Sequence, residues 1–184
     1  MTRVGDWDEL NIIRSGIRIP ADLPQGAAER KRFCDWLEYV LCLIYGYGWD
    51  DAAEVVGPLP EPGESMDRAV HLEIEGKTFR ERAEEHLIEQ DVEALIRLID
   101  TEAMRDYNTG VLDGGRESGK RLNKQWCTCM DERVRDTHDY LEGAVVGLED
   151  RFYTFDGDSA LQPLGFSNPA NNINCRCWII LSPA

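Results

Sequence analysis

From Ala27 onward, apolar side chains return at three- and four-residue intervals. Phe33, Leu37, Val40, Leu41 and Ile44 share one stripe, which predicts a helix with a single buried face. Gly46 and Gly48 are expected to end it, with a second short helix over Trp49 to Val56. GPLPEPGES at 57 to 65 holds three prolines and two glycines in nine residues, which predicts a linker. Residues 1 to 25, with Gly16, Pro20 and Pro24 and little periodicity, suggest an extended arm. VHLEIEG at 70 to 76 alternates apolar and polar, the period of a short strand turning at Gly76. Thr78 followed by Glu81 is a capping-box spacing, so a helix is expected to start at Phe79. Asp91 is placed to cap the next helix, in which Val92, Leu95, Ile96, Ile99 and Ala103 keep register until DGGRESG at 113 to 119 breaks it.

The texture changes after Lys124. KQWCTCM predicts a strand, with Cys127 and Cys129 on one face and Trp126, Thr128 and Met130 on the other. Asp131 is expected to cap a helix through DERVRDTHDYLEG, with Val134, His138 and Leu141 on one face and Gly143 as its stop. AVVGLEDRFYTF suggests a further strand, DGDSALQPLGFSNPANN a loop, and CRCWIIL a final strand. The fold class expected is α+β: a helical N-terminal region over residues 1–65, then residues 66–184 with a small, mostly antiparallel sheet packed with helices.

Composition narrows this little, except through charge and cysteine. No apolar run approaches the roughly 20 residues of a membrane span, and no signal-peptide pattern opens the chain, so folding in a cytoplasm is expected. The net charge of −15 argues against a general affinity for nucleic acid. The exception is a basic island, Arg116, Lys120, Arg121 and Lys124, a candidate for local, salt-sensitive DNA contact or a solvated helix face. Six cysteines stand at 34, 42, 127, 129, 175 and 177. Cys34 and Cys42 fit a buried helix face, whereas the other four form two C-x-C pairs. Trp36, Tyr39, Tyr45, Tyr47 and Trp49 crowd one short segment; most are expected in the core, the remainder on a docking surface.

The order of short motifs is then informative. DTE at 100–102, YNTG at 107–110, KQW at 124–126, DERVRDTH at 131–138, LEG at 141–143, DRF at 150–152 and NCRC at 174–177 follow one another as in the phage Mu F-like minor head proteins. The chain resembles that family over Val92 to Ile180. It differs in having Asp100 where the family often has Arg, and in the C-x-C at 127 and 129. The resemblance implies a minor capsid or head morphogenesis protein of a tailed phage or prophage, located in the virion after assembly in the bacterial cytoplasm. Its implied partners are portal or major capsid protein and packaged double-stranded DNA, with no membrane.

Three kinds of site chemistry stay open beside it. Cys127, Cys129, His138, Cys175 and Cys177 could hold one structural zinc, remain reduced thiols or form a disulfide, the zinc reading implying an interaction module. Cys175 with His138 and Asp131 offers nucleophile, base and acid. Glu102, Asp131 and His138 offer the ligands of a metal-dependent nuclease, as a toxin-like enzyme would need, although nothing in their spacing singles them out. An enzyme is the runner-up to a structural protein without cofactor. Glu102 and Asn108 are expected to bond across to the C-terminal strands, Glu102 to Arg133 or Arg135.

Overall fold

The computed structural model describes residues 19, 20 and 22–184, so most of the expected arm lies outside the described residues. Its order is α1 (Ala27–Val56), α2 (Gly63–Val70), α3 (Phe79–Glu89), α4 (Val92–Glu117), β1 (Leu122–Cys127), α5 (Asp136–Asp139), β2 (Val145–Gly147), β3 (Phe152–Tyr153), β4 (Ser159–Ala160), a 3-10 turn (Pro169–Asn171) and β5 (Trp178–Pro183). Strands β2, β1 and β5 form an antiparallel sheet in that order, and β3 pairs with β4. The α+β expectation holds, with helices first and small antiparallel sheets after.

The first helix is one uninterrupted rod, contrary to the expected break at Gly46 and Gly48. The reason lies in its neighbour. A Cβ on Gly48 would overlap the carbonyl oxygen of Tyr107 in α4, and one on Gly110 would overlap that of Tyr45 in α1. A Cβ on Gly114 would come within 2.7 Å of the Ala52 Cβ. Gly48 and Ala52 thus meet Gly110 and Gly114, each pair one helical turn apart, and the two backbones touch where ordinary side chains would hold them apart. Glycine here serves close approach rather than termination. The same logic carries α4 past the expected break at Asp113: Gly115 lies under Leu181 and Leu122 of the sheet and Leu148 just after β2.

The capping expectations for α3 and α4 hold. The Thr78 hydroxyl accepts from the Glu81 amide at 3.3 Å while the Thr78 amide donates to the Glu81 carboxylate at 2.8 Å. The Asp91 carboxylate accepts from the Ala94 amide at 2.9 Å. No strand forms in VHLEIEG. Val70 ends α2, and the mutual hydrogen bonds of Ile74 and Lys77 form an isolated bridge, which no strand among the described residues extends. The proline-rich stretch is packed down as well: the Trp49 indole donates to the Pro60 carbonyl at 3.0 Å, and Leu59 sits against Gly114.

Leu122, Lys124 and Trp126 of β1 face the interior, and Trp126 stands opposite Ile179 of β5. Asn108 locks α4 to this sheet, as expected. Fully buried, it donates to the Cys177 carbonyl at 3.1 Å and accepts from the Ile179 amide at 2.9 Å. One continuous apolar core runs from Leu23 through α1, α3 and α4 to Leu181. Among the described residues no helix is long and apolar enough to cross a membrane.

Candidate functional site

The expected helix from Asp131 to Gly143 shortens to a single turn, Asp136–Asp139. Arg135 and not Asp131 occupies its N-cap, because the Asp131 carboxylate is engaged elsewhere: it takes a two-pronged bond from Arg176, at 2.8 and 2.5 Å. β1 also stops at Cys127, and the chain turns through Met130 with φ of 50°, so the alternation expected to continue to Met130 is cut short. The last cysteine pair precedes β5 rather than lying in it. Asn174, with φ of 58°, turns the chain so that Cys175 and Cys177 point inward while Arg176 points out to Asp131. Asparagine tolerates that left-handed backbone better than most residues.

The result is a buried cluster. His138, Cys175 and Cys177 are 1%, 4% and 3% exposed. Both sulfurs face one ring nitrogen: Cys177 Sγ lies 3.4 Å and Cys175 Sγ 3.5 Å from His138 Nδ1. The Cys177 amide donates to the Cys175 sulfur at 3.5 Å. His138 is boxed by Trp126 and Phe166, with ring centroids 5.3 and 5.5 Å away, and its Nε2 is buried without a hydrogen-bond partner. The two flanking segments are tied together three times, by Arg176 to Asp131, Arg135 to the Ile173 carbonyl, and Thr137 to Asn171.

The two thiols are not equivalent. The hydrogen bond from the Cys177 thiol, with help from His138, holds Cys175 well below the usual thiol range, while the same bond and burial push Cys177 up. Of the five sulfur and nitrogen ligands expected to gather, three do so. Among the described residues His138, Cys175 and Cys177 make a group whose ligand atoms lie within 4.8 Å of one another. Cys129 lines an adjoining cavity of about 10 Å³ and bonds the Arg176 carbonyl at 3.6 Å. Cys127 does not join: it faces away, and burial followed by the charge of Glu142 pushes its thiol up to about 12, as an inert structural thiol requires.

The two catalytic constellations do not assemble. Asp131 is exposed and held by Arg176, so it does not orient His138. Glu102 pairs with Arg82 at 2.8 Å and with Arg105, not with Arg133 or Arg135, and it forms no ligand group with Asp131 and His138. The Arg105 partner was readable as a three-residue spacing on one helix. Arg82 comes from α3, and no local pattern could have found it. These side chains line a cleft of about 500 Å³ between α3, α4 and the loop before β5.

The basic island is dispersed. Arg116 pairs with Glu149 at 2.7 Å and Asp113 at 3.3 Å, and the Lys120 ammonium donates to the Val56 carbonyl at 2.6 Å. Lys124 is wholly buried, donating to the Leu148 carbonyl at 2.6 Å, and burial brings its amine down to about 8. It therefore presents no charge to a phosphate; Arg121 alone of the four is exposed without such a tie.

One titratable group in α4 had no sequence signal. Asp106 is 2% exposed, with Oδ2 unpartnered; burial first and the charge of Glu102 second push its carboxyl well above the usual range. A raised folded value means that its contribution is fully present below the unfolded value near 4 and is lost as pH rises through the folded one. Asp106→Asn is accordingly expected to stabilise the protein by about 1–3 kcal/mol at pH 7 and by nothing at pH 4. Urea unfolding at both pH values measures this, and an equal gain at each would refute it.

Residues 66–180, which hold this cluster and the Glu102 triad, match the family described as Phage Mu protein F like protein. The chain belongs to that Mu F-like family. Over 114 residues, 58% of the chain, it is 33% identical to NAD(+)--arginine ADP-ribosyltransferase EFV of Enterococcus faecalis. Over 82 residues, 44% of the chain, it is 27% identical to minor head protein GP7 of Bacillus phage SPP1. The matches span only 23% and 27% of those two proteins. No solved structure matches. Within the Mu F-like segment lie His138, Cys175, Cys177, Glu102 and Asn108, whereas α1 stands outside it.

Proposed function

We propose that this Mu F-like chain is a minor head protein, a virion component that joins the head during assembly in the bacterial cytoplasm by binding portal or major capsid protein. Family membership and the likeness to a phage minor head protein support a role in head morphogenesis. The observation that carries the attachment is on α1. Trp36, Tyr39, Leu43 and Tyr47, spaced three and four residues apart, are 38%, 61%, 44% and 40% exposed along one stripe. The expectation that most of Trp36, Tyr39, Tyr45, Tyr47 and Trp49 are core is thus reversed, since of these five Tyr45 and Trp49 alone are buried. A stripe of Trp, Tyr and Leu on the outer face of a helix otherwise packed on its inner face is the composition of an interface anchor. Packaged DNA gains less support as a partner, because the basic island is dispersed and the net charge is −15.

Replacing Trp36, Tyr39 and Leu43 together with serine is expected to leave the melting temperature within about 3 °C, because the changes are on the surface. Incorporation into heads is expected to fall about tenfold or more, as loss of hot-spot aromatics does. Immunoblotting of purified heads, alongside co-purification with portal and capsid proteins, reads the effect. Undiminished incorporation would remove α1 as the attachment surface.

The second reading, a toxin-linked enzyme module, draws on the Enterococcus match. It requires transfer of ADP-ribose from NAD+ to an arginine acceptor by this chain, or nucleic-acid cleavage, lost in His138→Ala with the fold preserved. Neither activity is expected, since Glu102 and Asp131 are both committed to arginine.

A further inference from the structure

We propose that His138, Cys175 and Cys177 bind one thiophilic divalent cation, with zinc the best fit, and that the ion clasps the α5 turn to the segment entering β5. The site is independent of the head-protein reading. Zinc bonded at about 2.0–2.1 Å to nitrogen and about 2.3 Å to sulfur in a tetrahedron puts those two ligands about 3.6 Å apart. The two nitrogen-to-sulfur distances here are 3.4 and 3.5 Å. A thiol–imidazole hydrogen bond accounts for one such contact. With the Cys177 S–H given to Cys175, one thiol–imidazole contact would be enough, yet both sulfurs stand at nearly the same distance from Nδ1, which has a single lone pair. An ion between the three atoms satisfies all of them at once.

The surroundings suit the ion. All three ligands are at least 96% buried, and the three cross-ties hold the two segments in place before any ion arrives. Such prior order lowers the entropy that binding must overcome. Both sulfurs stand beside Nδ1, so Nδ1 is the ligand nitrogen and the ring proton stays on Nε2. The adjoining cavity, about 10 Å³, has space for roughly one water and is lined by Cys129 as well as by the three ligands. A water is left to take the fourth position, since the Cys129 sulfur stands outside the three-residue ligand group. Cys127, although it is half of the same C-x-C pair, takes no part, and neither do Cys34 and Cys42 in α1.

The test uses the full chain, refolded with excess zinc and then dialysed. About one zinc per chain is expected by elemental analysis, and chelation is expected to lower the melting temperature by several degrees until zinc is restored. Cys175→Ser and His138→Gln are expected to lose at least tenfold in zinc affinity, while Cys34→Ser and Cys127→Ser keep it. Should the cluster variants fail to fold, the wild-type chain refolded with cobalt decides. A sulfur-to-cobalt charge-transfer band with tetrahedral d–d bands supports the site. Metal-free wild-type protein after refolding with excess zinc, absence of the cobalt bands, or unchanged zinc binding in Cys175→Ser overturns it.

Discussion

Gly48→Ala and Gly110→Ala are each expected to cost more than about 3 kcal/mol, a large part of a total stability of roughly 5–15 kcal/mol, and to yield little soluble protein. The new methyl at 48 would overlap the Tyr107 carbonyl oxygen and lie 3.0 Å from the Val111 amide nitrogen; the one at 110 would overlap the Tyr45 carbonyl oxygen and lie 3.0 Å from the Trp49 amide nitrogen. These are backbone atoms of a neighbouring helix, so no rotamer change relieves the clash. The helices must separate, and with them the buried Ile44, Tyr45, Ala52, Met104 and Val111 lose contact at the centre of the core. Gly46→Ala is the control. Nothing lies within 4 Å of its Cβ position, and alanine is the better helix former, so about 0.5–1 kcal/mol of stabilisation is expected. Circular dichroism melts of the three variants measure the contrast. A Gly48→Ala protein melting with the wild type would mean that α1 can slide on α4, and the close crossing would then carry little of the stability.

The same glycines show where sequence reading succeeds and where it fails. Apolar spacing found α1, the capping box found the start of α3, and Asp91 found that of α4, because each of those signals is satisfied within one turn of helix. Gly48, Gly110 and Gly114 carry the opposite local message. In isolation they weaken a helix, and their value appears only when a second helix arrives from about 60 residues away. Asp131 fails in a related way: its capping signal loses to Arg176, more than 40 residues on. The cluster was half legible. NCRC and the lone histidine of DERVRDTH marked its three members, but Cys127, still inside β1, lies on the face opposite the buried Trp126, and the alternation that would have carried on to Cys129 ends where the chain leaves the sheet. Lys124 was read as surface from its neighbours in sequence, although the period of β1 places it between Leu122 and Trp126 on the buried face.

Glu102→Ala is expected to destabilise by about 3–5 kcal/mol if Asp106 stays protonated, since two guanidinium groups would lose the carboxylate between them. Asp106 makes the smaller end of that range the better expectation. Glu102 is the charge that most opposes its ionisation, while Arg105 and Arg82 favour it. Once Glu102 is gone, Arg105, the preceding residue, and Arg82 from α3 still favour the charged form, and Asp106 can release its proton and take over part of the pairing. In an Asp106→Asn background that substitute is missing, so the loss from Glu102→Ala must grow. A double-mutant cycle by urea unfolding at pH 7 is expected to give a coupling of at least about 1 kcal/mol, well outside the roughly 0.3–0.5 kcal/mol scatter of independent sites. Additive losses would mean that Asp106 stays neutral whatever its neighbour does. The buried pair would then act as one carboxylate holding two arginines and one bystander, and its worth would lie in fixing α3 against α4.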